Sequence, residues 1–301
     1  MSEAPLISVC IPVFNGEVIS LVKSLADQCE SLENHVEIIV IDDCSDIDWK
    51  LKNESIKNSC NYIELEENIG RSKIRNLFLE HASGDYMLFI DGDSEIISKH
   101  YLSDYIDFIE KNKVDVLVGG RVNQKNRPHR EQLLRWKYSI YRESKSAENR
   151  KTGFFGFQSN NFVIKKSVLQ IVKFNEEFVG YGHEDTLFGI ELKHEKANVA
   201  HIENPVLNSH LDSNEVFLVK TENAVVNLSK LYARNTQFPE IQEIKLICLY
   251  KRLSKLNLIP LFKIVNAIFL PIATQFLKKG YFLLWMFDFY KLGLFVRQIK
   301  V

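Results

Sequence analysis

The sequence is short of several features that would place it in a specialised class of protein. Its 301 residues include only five cysteines, scattered without a CxxC pair, so a disulfide framework is not expected. Lys plus Arg number 38 against 39 Asp plus Glu, and this balance gives no overall reason to expect nucleic-acid binding. The N-terminus lacks the basic start and apolar core of a signal peptide. We therefore expect a protein of the reducing cytoplasm.

What is present is typical of a globular protein. Hydrophobic residues make up 46% and charged residues 26%, which excludes disordered, collagenous and low-complexity chains. At about 150 residues per domain, the length allows one large domain with an appendage, or two small ones. Charge is unevenly distributed, because residues 245–301 contain ten Lys or Arg and one acidic residue. This part of the chain is expected to meet different surroundings from the rest.

Short apolar runs alternate with helical patterns along the first half of the chain. Runs rich in branched residues predict strands at residues 6–13, 36–41, 62–65, 86–90 and 114–118. Apolar residues at helical spacing predict helices after the first and third of these strands. Strands that alternate with helices favour an α/β fold with a mainly parallel, doubly wound sheet.

Polar clusters follow three of the predicted strands. They are Phe14-Asn15, Asp42-Asp43 and Asp91-Gly92-Asp93. Because ligands bind beyond the carboxyl ends of the strands in such sheets, we expect these clusters to share one rim that carries the functional site. Two of the clusters have a plainer interpretation: Asp-Gly is a common hairpin-turn signal, and Asp42-Asp43 could cap the next helix.

Two further segments could carry chemistry. Gly70 with Arg71 and Arg75 places a glycine turn at a helix N-terminus and two arginines on one face, which suits either an anion cradle or a capped helix with exposed arginines. Glu184 and Asp185 follow a glycine turn at the start of another helix, whose dipole stabilises the carboxylate as an anion. Such a carboxylate can act as a general base on a hydroxyl, or can complement the dipole without chemistry.

Five motifs, in their order along the chain, resemble the family 2 glycosyltransferases of the GT-A fold. The resemblance covers residues 5–235 and rests on Ile11-Pro12-Val13-Phe14-Asn15, Val40-Ile41-Asp42-Asp43-Cys44-Ser45, Asn68-Ile69-Gly70 with Arg75-Asn76, Asp91-Gly92-Asp93 and Gly182-His183-Glu184-Asp185. It implies a Rossmann-like, mainly parallel sheet flanked by helices. It also implies inverting transfer of a hexose from a nucleotide sugar, usually a UDP sugar, to an acceptor hydroxyl.

The resemblance implies roles for individual residues. The nucleotide would be bound by Pro12, Phe14, Asp42, Gly70, Arg71, Arg75 and Asp91. Asp93 would bind Mn²⁺ or Mg²⁺ bridging the diphosphate, which stabilises the leaving charge. Asp185 would take the acceptor proton while Glu184 orients the acceptor, and Asn160 and Asn161 match the acceptor-side segment in place. The carboxylates of Asp93 and Asp185 are then expected to face each other across one cleft.

The third metal ligand departs from the family pattern. Related sequences often carry a His three residues after a Pro, where this chain has Asn208 after Pro205. Asn is a poorer Mn²⁺ ligand than neutral imidazole. His210, two residues further on, is therefore the predicted ligand, and a partly exposed loop histidine is the alternative.

The C-terminal part is apolar and basic. Residues 258–277 are interrupted by prolines, a lysine and an asparagine, so they are not expected to form a simple membrane span. Leu and aromatic residues interleaved with Lys predict a helical extension in the headgroup region of a membrane, or else helices packed on the catalytic domain. We expect a catalytic domain at residues 1–237 and a membrane-associating segment at 238–301. The basic stretch 121–151 is predicted to be a loop with a short helix, which either contacts phosphates or is a solvated face.

The resemblance implies a metal-dependent inverting glycosyltransferase. The apolar, basic C-terminal part favours a place at the inner face of the cell membrane, where the enzyme would build a surface polysaccharide or glycolipid. Its partners would be a nucleotide sugar and a glycan or lipid-linked acceptor, with no nucleic acid. The alternative is a catalytically inactive nucleotide-sugar-binding subunit of a membrane glycan-assembly complex, against which Asp93, Glu184 and Asp185 count. A nucleotidyltransferase is disfavoured because no Gly-rich phosphate loop follows the first strand. The donor sugar, the linkage and the oligomeric state stay open.

Overall fold

The computed structural model describes residues 6–32, 35–150, 157–178, 180–234, 236–281 and 283–299. The chain divides into two compact units that interleave along the sequence. Unit 1 comprises residues 1–124, 144–177 and 191–210, and unit 2 comprises residues 125–143, 178–190 and 211–301. This division differs from the single boundary expected near residue 238. The greater part of the basic stretch 121–151 and the turn that precedes Glu184 belong to the same unit as the C-terminal helices, whereas Lys151 lies outside the described residues.

Ten strands are described, all of them in unit 1. They are β1 (Ile7–Val13), β2 (Val36–Asp42), β3 (Asn61–Glu64), β4 (Tyr86–Ile90), β5 (Ser94–Ile96), β6 (Val116–Val118), β7 (Arg121–Asn123), β8 (Asn161–Lys165), β9 (Val199–His201) and β10 (Val206–Asn208). Seven of them form one sheet in the order β3-β2-β1-β4-β8-β6-β9. Only β8 runs antiparallel to its neighbours, so the expectation of a mainly parallel sheet is confirmed.

A second sheet of three short strands has the order β5-β10-β7. Sequence patterns did not indicate it, because strands of three residues are too short to show an alternation of apolar and polar residues. β4 pairs with β1 and β8, whereas β5 pairs with β10. The hairpin interpretation of Asp91-Gly92 is therefore wrong: this turn passes from one sheet to the other.

Twelve helices are described across the two units. They are α1 (Ile19–Cys29), α2 (Ile47–Asn53), α3 (Arg71–His81), α4 (Tyr101–Lys111), α5 (Leu133–Tyr138), α6 (Ala147–Arg150), α7 (Lys166–Ile171), α8 (Glu184–His194), α9 (Asn214–Ala233), α10 (Lys245–Lys255), α11 (Ile259–Lys278) and α12 (Leu284–Gln298). Residues 133–138, which form α5, confirm the short helix expected in the basic stretch, and a π-helical turn follows at Ser139–Glu143.

Each unit has its own hydrophobic core. In unit 1, residues from β1, β2 and β4 such as Val9, Val40 and Leu88 pack with apolar residues of α1 and α4. Strands covered on both faces read as continuous apolar runs, which is why these strands were recognisable in the sequence. In unit 2, α5, α9, α11 and α12 surround a core that includes Phe217 and Phe287, whose rings stack at 5.7 Å.

Helix α11 runs through Pro271 without a break. A proline inside a helix removes one backbone hydrogen bond, but residues on both sides of it pack into the core of unit 2, among them Leu270 and Ala273. Within the described residues, α11 alone is long and apolar enough to cross a membrane, as judged by length and composition.

Candidate active site

The carboxyl ends of β1, β2 and β4 meet on one rim of unit 1, as the sequence predicted. The backbone N–H of Asp43 donates to the carbonyl of Val13 at 2.8 Å. Gly92 lies against the end of β1, since a Cβ atom placed there would be 3.2 Å from the carbonyl oxygen of Pro12. Phe14, at the edge of this rim, is 55% exposed, so its ring has a face available to a flat ligand. Pro12 is half-buried.

Asp42 and Asp43 hold the rim together. The carboxylate of Asp42 is fully buried, and it accepts hydrogen bonds from the Ser45 N–H at 2.6 Å and from the Tyr62 hydroxyl at 3.0 Å. Desolvation and this bond raise the pKa of Tyr62. The structure thus gives Asp42 a different role from the predicted contact with the base, because its side chain closes its own turn. Neither carboxylate caps α2, whose N-cap residue is Asp46.

Asp43 has a positioning role that the sequence did not resolve. Its two carboxylate oxygens accept the backbone N–H groups of Ile69 at 2.7 Å and Gly70 at 3.0 Å. Gly70 is the N-cap residue of α3 with φ 83°, a conformation that favours glycine. Asp43 therefore fixes the turn that starts α3, and with it the position of Arg71.

The two arginines of α3 differ in their surroundings. Arg75 is only 2% exposed; its Nη2 donates to Asp91 Oδ1 at 2.8 Å, and its Nη1 donates to the carbonyl of Arg71. Its guanidinium also lies 5.5 Å from the ring of Phe174. Arg71 is more exposed, with its Nη2 3.9 Å from Asp91 Oδ2. The interpretation of two exposed arginines is therefore wrong for Arg75, which positions Asp91 from within the fold.

Asp93 lies at the start of the second sheet and keeps an exposed surface. Desolvation by the surrounding chain and the neighbouring Asp91 carboxylate raise its pKa, while the positive charges of Arg71 and His210 lower it. His210 follows Ser209, whose hydroxyl donates to the Asp93 carbonyl at 3.4 Å, so the chain brings His210 close to Asp93. The alternative ligand, Asn208, lies in β10 opposite Ser94, and its Oδ1 is buried without a hydrogen-bond partner.

Within the described residues, no group of three or more His, Cys, Asp or Glu side chains is placed to hold a metal ion. A divalent cation that is coordinated mainly by substrate phosphates needs only one or two protein ligands. The juxtaposition of Asp93 and His210 fits such a site. A cation there would also relieve the repulsion between Asp91 and Asp93.

Asn160 and Asn161 have different environments. Asn161 is 0% exposed and its amide is fully used: Oδ1 accepts the hydroxyls of Tyr101 and Tyr105, and Nδ2 donates to the carbonyls of Gly120 and Asn204. The predicted acceptor role of Asn161 is therefore wrong, because no hydrogen-bonding capacity is left. Asn160 differs, since its carbonyl accepts the Asp91 N–H at 3.1 Å while its own side-chain Oδ1 is buried without a partner.

In unit 2, Glu184 and Asp185 begin α8, as the sequence predicted. The preceding turn needs its glycines, because Gly180 and Gly182 have φ values of 82° and 99°. The turn is fastened to α9, where Asn227 Nδ2 donates to the Gly182 carbonyl at 3.1 Å. A Cβ atom at residue 182 would lie 2.5 Å from a side chain of α9.

The two carboxylates of this turn are not equivalent. Glu184 is buried, whereas Asp185 is half-buried and its Oδ1 accepts the N–H of Thr186 at 2.7 Å. Desolvation of the adjacent His183, together with the positive charge of Lys291, lowers the pKa of its imidazole to about 4 despite the nearby Glu184. Near neutral pH His183 is therefore uncharged.

Comparison with known proteins identifies a family pattern in the chain. The pattern of Glycosyl transferase family 2 matches residues 8–172, which is more than half of the sequence. These residues include the whole rim of unit 1 from Pro12 to Asp93.

Two curated relatives match part of the chain. It is 36% identical over 116 residues to the poly(ribitol-phosphate) β-N-acetylglucosaminyltransferase TarS of Staphylococcus aureus (strain Mu50), a match that covers 37% of this chain and 20% of TarS. It is 30% identical over 208 residues to the GalNAc(5)-diNAcBac-PP-undecaprenol β-1,3-glucosyltransferase of Campylobacter jejuni, covering 65% of this chain and 62% of that protein. The chain therefore matches less than two thirds of the length of either relative.

Solved structures share the fold at low sequence identity. The crystal structure of S. aureus TarS 1–349 in complex with UDP matches with a TM-score of 0.53 and 20% identity, covering 97% of this chain and 91% of that one. The mannosyltransferase PcManGT from Pyrobaculum calidifontis, in complex with GDP-Man and Mn²⁺, matches with a TM-score of 0.55 and 15% identity, covering 77% and 65%. These likenesses establish the GT-A architecture expected from the sequence.

Proposed function

From the premise that this chain belongs to glycosyl transferase family 2, we propose that it transfers a sugar from a nucleotide sugar to a hydroxyl group of a glycan or lipid-linked acceptor. The observation that carries the proposal is the rim of unit 1, where Phe14, Arg71 and the Asp91-Gly92-Asp93 turn are held together at the carboxyl ends of parallel strands. Ligands of open α/β sheets bind at such a rim.

On the donor side, Pro12 and the exposed Phe14 ring would contact the base, and Gly70 and Arg71 would lie near the nucleotide. Asp91 would accept hydrogen bonds from the ribose, in the orientation that Arg75 imposes on its carboxylate. A divalent cation, Mn²⁺ or Mg²⁺, would be held by Asp93 and His210, where it would stabilise the negative charge of the leaving diphosphate. Arg75 and Asp42 support the site from within the fold.

On the acceptor side, Asp185 would be the general base. Its place at the start of α8 favours the carboxylate, and the side chain is partly accessible. Asp185 would take the proton of the acceptor hydroxyl while the hydroxyl oxygen bonds to the anomeric carbon. The bond from that carbon to the diphosphate oxygen breaks on the opposite face, so the configuration is inverted. Glu184 would orient the acceptor, and the unpartnered Oδ1 of Asn160 would accept a sugar hydroxyl.

Relatives support a UDP sugar and a setting in surface-glycan synthesis. One is named as a poly(ribitol-phosphate) glycosyltransferase, another as acting on an undecaprenol-linked glycan, and a structure of the first contains UDP. We therefore propose a UDP-hexose donor, and polysaccharide or glycolipid assembly at the cytoplasmic face of the cell membrane.

The test combines a donor screen with one substitution. The full chain is incubated with Mn²⁺ or Mg²⁺, a panel of nucleotide sugars and candidate acceptors, and the release of nucleoside diphosphate is measured. Asp185→Asn is expected to keep donor binding while transfer falls by about 10²–10⁴-fold, the usual contribution of a general base. Asp107→Asn, a substitution on the exposed side of α4, is the control and should leave transfer unchanged.

Unimpaired transfer by Asp185→Asn would remove this residue from the role of base. Absence of diphosphate release with every donor and acceptor would instead favour the inactive, nucleotide-sugar-binding subunit.

A further inference from the structure

Helix α11 is apolar on two opposite faces, and only one of them is covered. The covered stripe consists of residues spaced three or four apart, including Phe262, Leu270 and Leu277, of which the last two join the core of unit 2. The opposite stripe is solvent-exposed. We define this outer face by its six large apolar residues, each 46–69% exposed: Leu261, Ile264, Val265, Ile268, Ile272 and Phe276.

The outer face continues beyond the helix. Trp285, 59% exposed, contacts α11 through Phe269, with ring centroids 6.0 Å apart, and Leu283 beside it is also exposed. Tyr281, in the connection between α11 and α12, lies under the guanidinium of Arg130, 3.9 Å from its ring centroid. Exposed apolar patches of this kind mark sites of interaction with proteins or membranes.

The charges around the outer face point to one partner. Residues 245–287 contain seven Lys or Arg and no Asp or Glu, and Lys255, Lys263 and Lys279 are exposed. An exposed apolar face in a segment whose charges are all basic, with exposed Trp285 and Tyr281 beside it, has the composition of helices that lie in the plane of a membrane interface with anionic lipids. A second copy of the chain would bring the same positive charges together, which opposes self-association.

The covered side of α11 argues for an in-plane orientation over a transmembrane one. That side packs on α9 and α12, and these helices carry Glu222, Asp288 and Lys291. Packed helices lie about 8–10 Å apart. A spanning α11 would therefore carry these ionisable groups into the hydrocarbon, which is costly. In the interface plane, only the outer face enters the lipid.

The same unit carries the proposed general base. α11 is tied to α9 through Asn214, whose Nδ2 donates to the Lys278 carbonyl at 3.1 Å, and α9 holds the turn before Asp185 through Asn227. We propose that the outer face of α11 binds an anionic lipid bilayer, so that unit 2 delivers Asp185 to an acceptor anchored in that bilayer. The acceptor half of this inference rests on the proposed function, whereas the lipid contact does not.

The test measures binding of the full chain to vesicles without any donor, so it is independent of catalysis. Vesicles of phosphatidylcholine alone are compared with vesicles containing about a third of phosphatidylglycerol, by flotation. Ile264→Ser/Ile268→Ser is expected to weaken binding by at least about 100-fold, because two large side chains no longer enter the lipid. Ile171→Ser/Val219→Ser removes equally exposed apolar residues away from the outer face and should bind as the unchanged chain does.

Two further measurements complete the test. Lys279→Gln should weaken binding to the anionic vesicles about fivefold, the usual contribution of one lysine near an anionic surface, and should leave binding to neutral vesicles unchanged. In a chain with Trp49 and Trp136 replaced by Phe, the fluorescence of Trp285 should shift to the blue on anionic vesicles.

The outcomes separate the occupants of the outer face. Vesicle binding that is unaffected by the serine pair would overturn the proposal. The proposal would also be overturned if the unchanged chain did not bind vesicles but formed a dimer in solution that the serine pair dissociates. That result would identify a second copy as the partner. Retention in membranes after alkaline carbonate extraction would also overturn it, in favour of a spanning α11.

Discussion

Replacing Arg75 by Met should destabilise unit 1 by about 3 kcal/mol. The magnitude follows from the burial of the pair, since Arg75 is 2% exposed and the side chain of its partner Asp91 is 22% exposed. Removing one partner of a buried ion pair costs about 3–5 kcal/mol. The lower end applies because Asp91 keeps some hydration and has Arg71 at 3.9 Å. Met retains most of the apolar contact that the stem of Arg75 makes.

A double-mutant cycle with Asp91→Asn isolates the interaction, and we expect a coupling free energy of about 2 kcal/mol. Urea unfolding is followed by the fluorescence of Trp49 in unit 1, with Trp136 and Trp285 of unit 2 replaced by Phe. This reports on unit 1 even if the two units unfold separately. Arg71→Met is the control and should cost less than about 1 kcal/mol, since this arginine is largely exposed.

A coupling free energy near zero would refute the positioning role of Arg75. The same conclusion would follow if Arg75→Met lowered donor binding without changing stability, because the guanidinium would then serve the nucleotide directly.

Three smaller predictions follow from single contacts. In thermal unfolding, Gly182→Ala should destabilise unit 2 clearly more than Gly180→Ala. Both substitutions strain a positive φ, but only a side chain at residue 182 would clash with α9. Equal losses of stability would refute the clash. Desolvation of Glu37 raises its pKa, but hydrogen bonds from two serines and a glycine N–H outweigh this and lower it. The ionised Glu37 carboxylate should therefore stabilise the fold at neutral pH, and this stabilisation should be lost as pH falls below about 4.5. The unfolding curves of Glu37→Gln should then approach those of the unchanged chain in acid. A difference in stability that stays constant with pH would contradict this. Asn161→Ala should cost about 3–5 kcal/mol because it removes four buried hydrogen bonds, whereas Asn160→Ala should cost less than about 1 kcal/mol. Similar costs in urea unfolding would contradict the assignment.

The sequence by itself determined the strands of the parallel sheet and the rim that they form. β1, β2 and β4 are buried on both faces, so each is a continuous apolar run, and the polar cluster after each run marks the carboxyl end of a strand. Chain direction then brings those ends together without any knowledge of side-chain contacts. The start of α8 at Glu184 was equally readable, because the glycines before it and the apolar spacing after it are local signals.

Only the tertiary structure decided which polar side chains face a ligand and which are used by the fold. Asp42 and Asp43 are adjacent and identical in type, yet one closes its own turn and the other fixes the start of α3. Asn160 and Asn161 are likewise adjacent and identical in type, but the amide of Asn161 is fully hydrogen-bonded within the fold whereas the Oδ1 of Asn160 has no partner. Apart from the Ser45 N–H, which is three residues from Asp42, the side-chain partners of Asp42, Asp43 and Asn161 are 20 to 60 residues away in the sequence, and a local pattern carries no record of them.

The continuity of α11 and the interleaving of the two units were also decided by packing. Sequence rules correctly state that Pro271 weakens a helix, but they do not include the stabilisation that residues on both sides of it gain in the core of unit 2. The outer face of α11 could not be predicted from the sequence either. Both faces are apolar in sequence, and only the position of α9 and α12 determines which one is left uncovered.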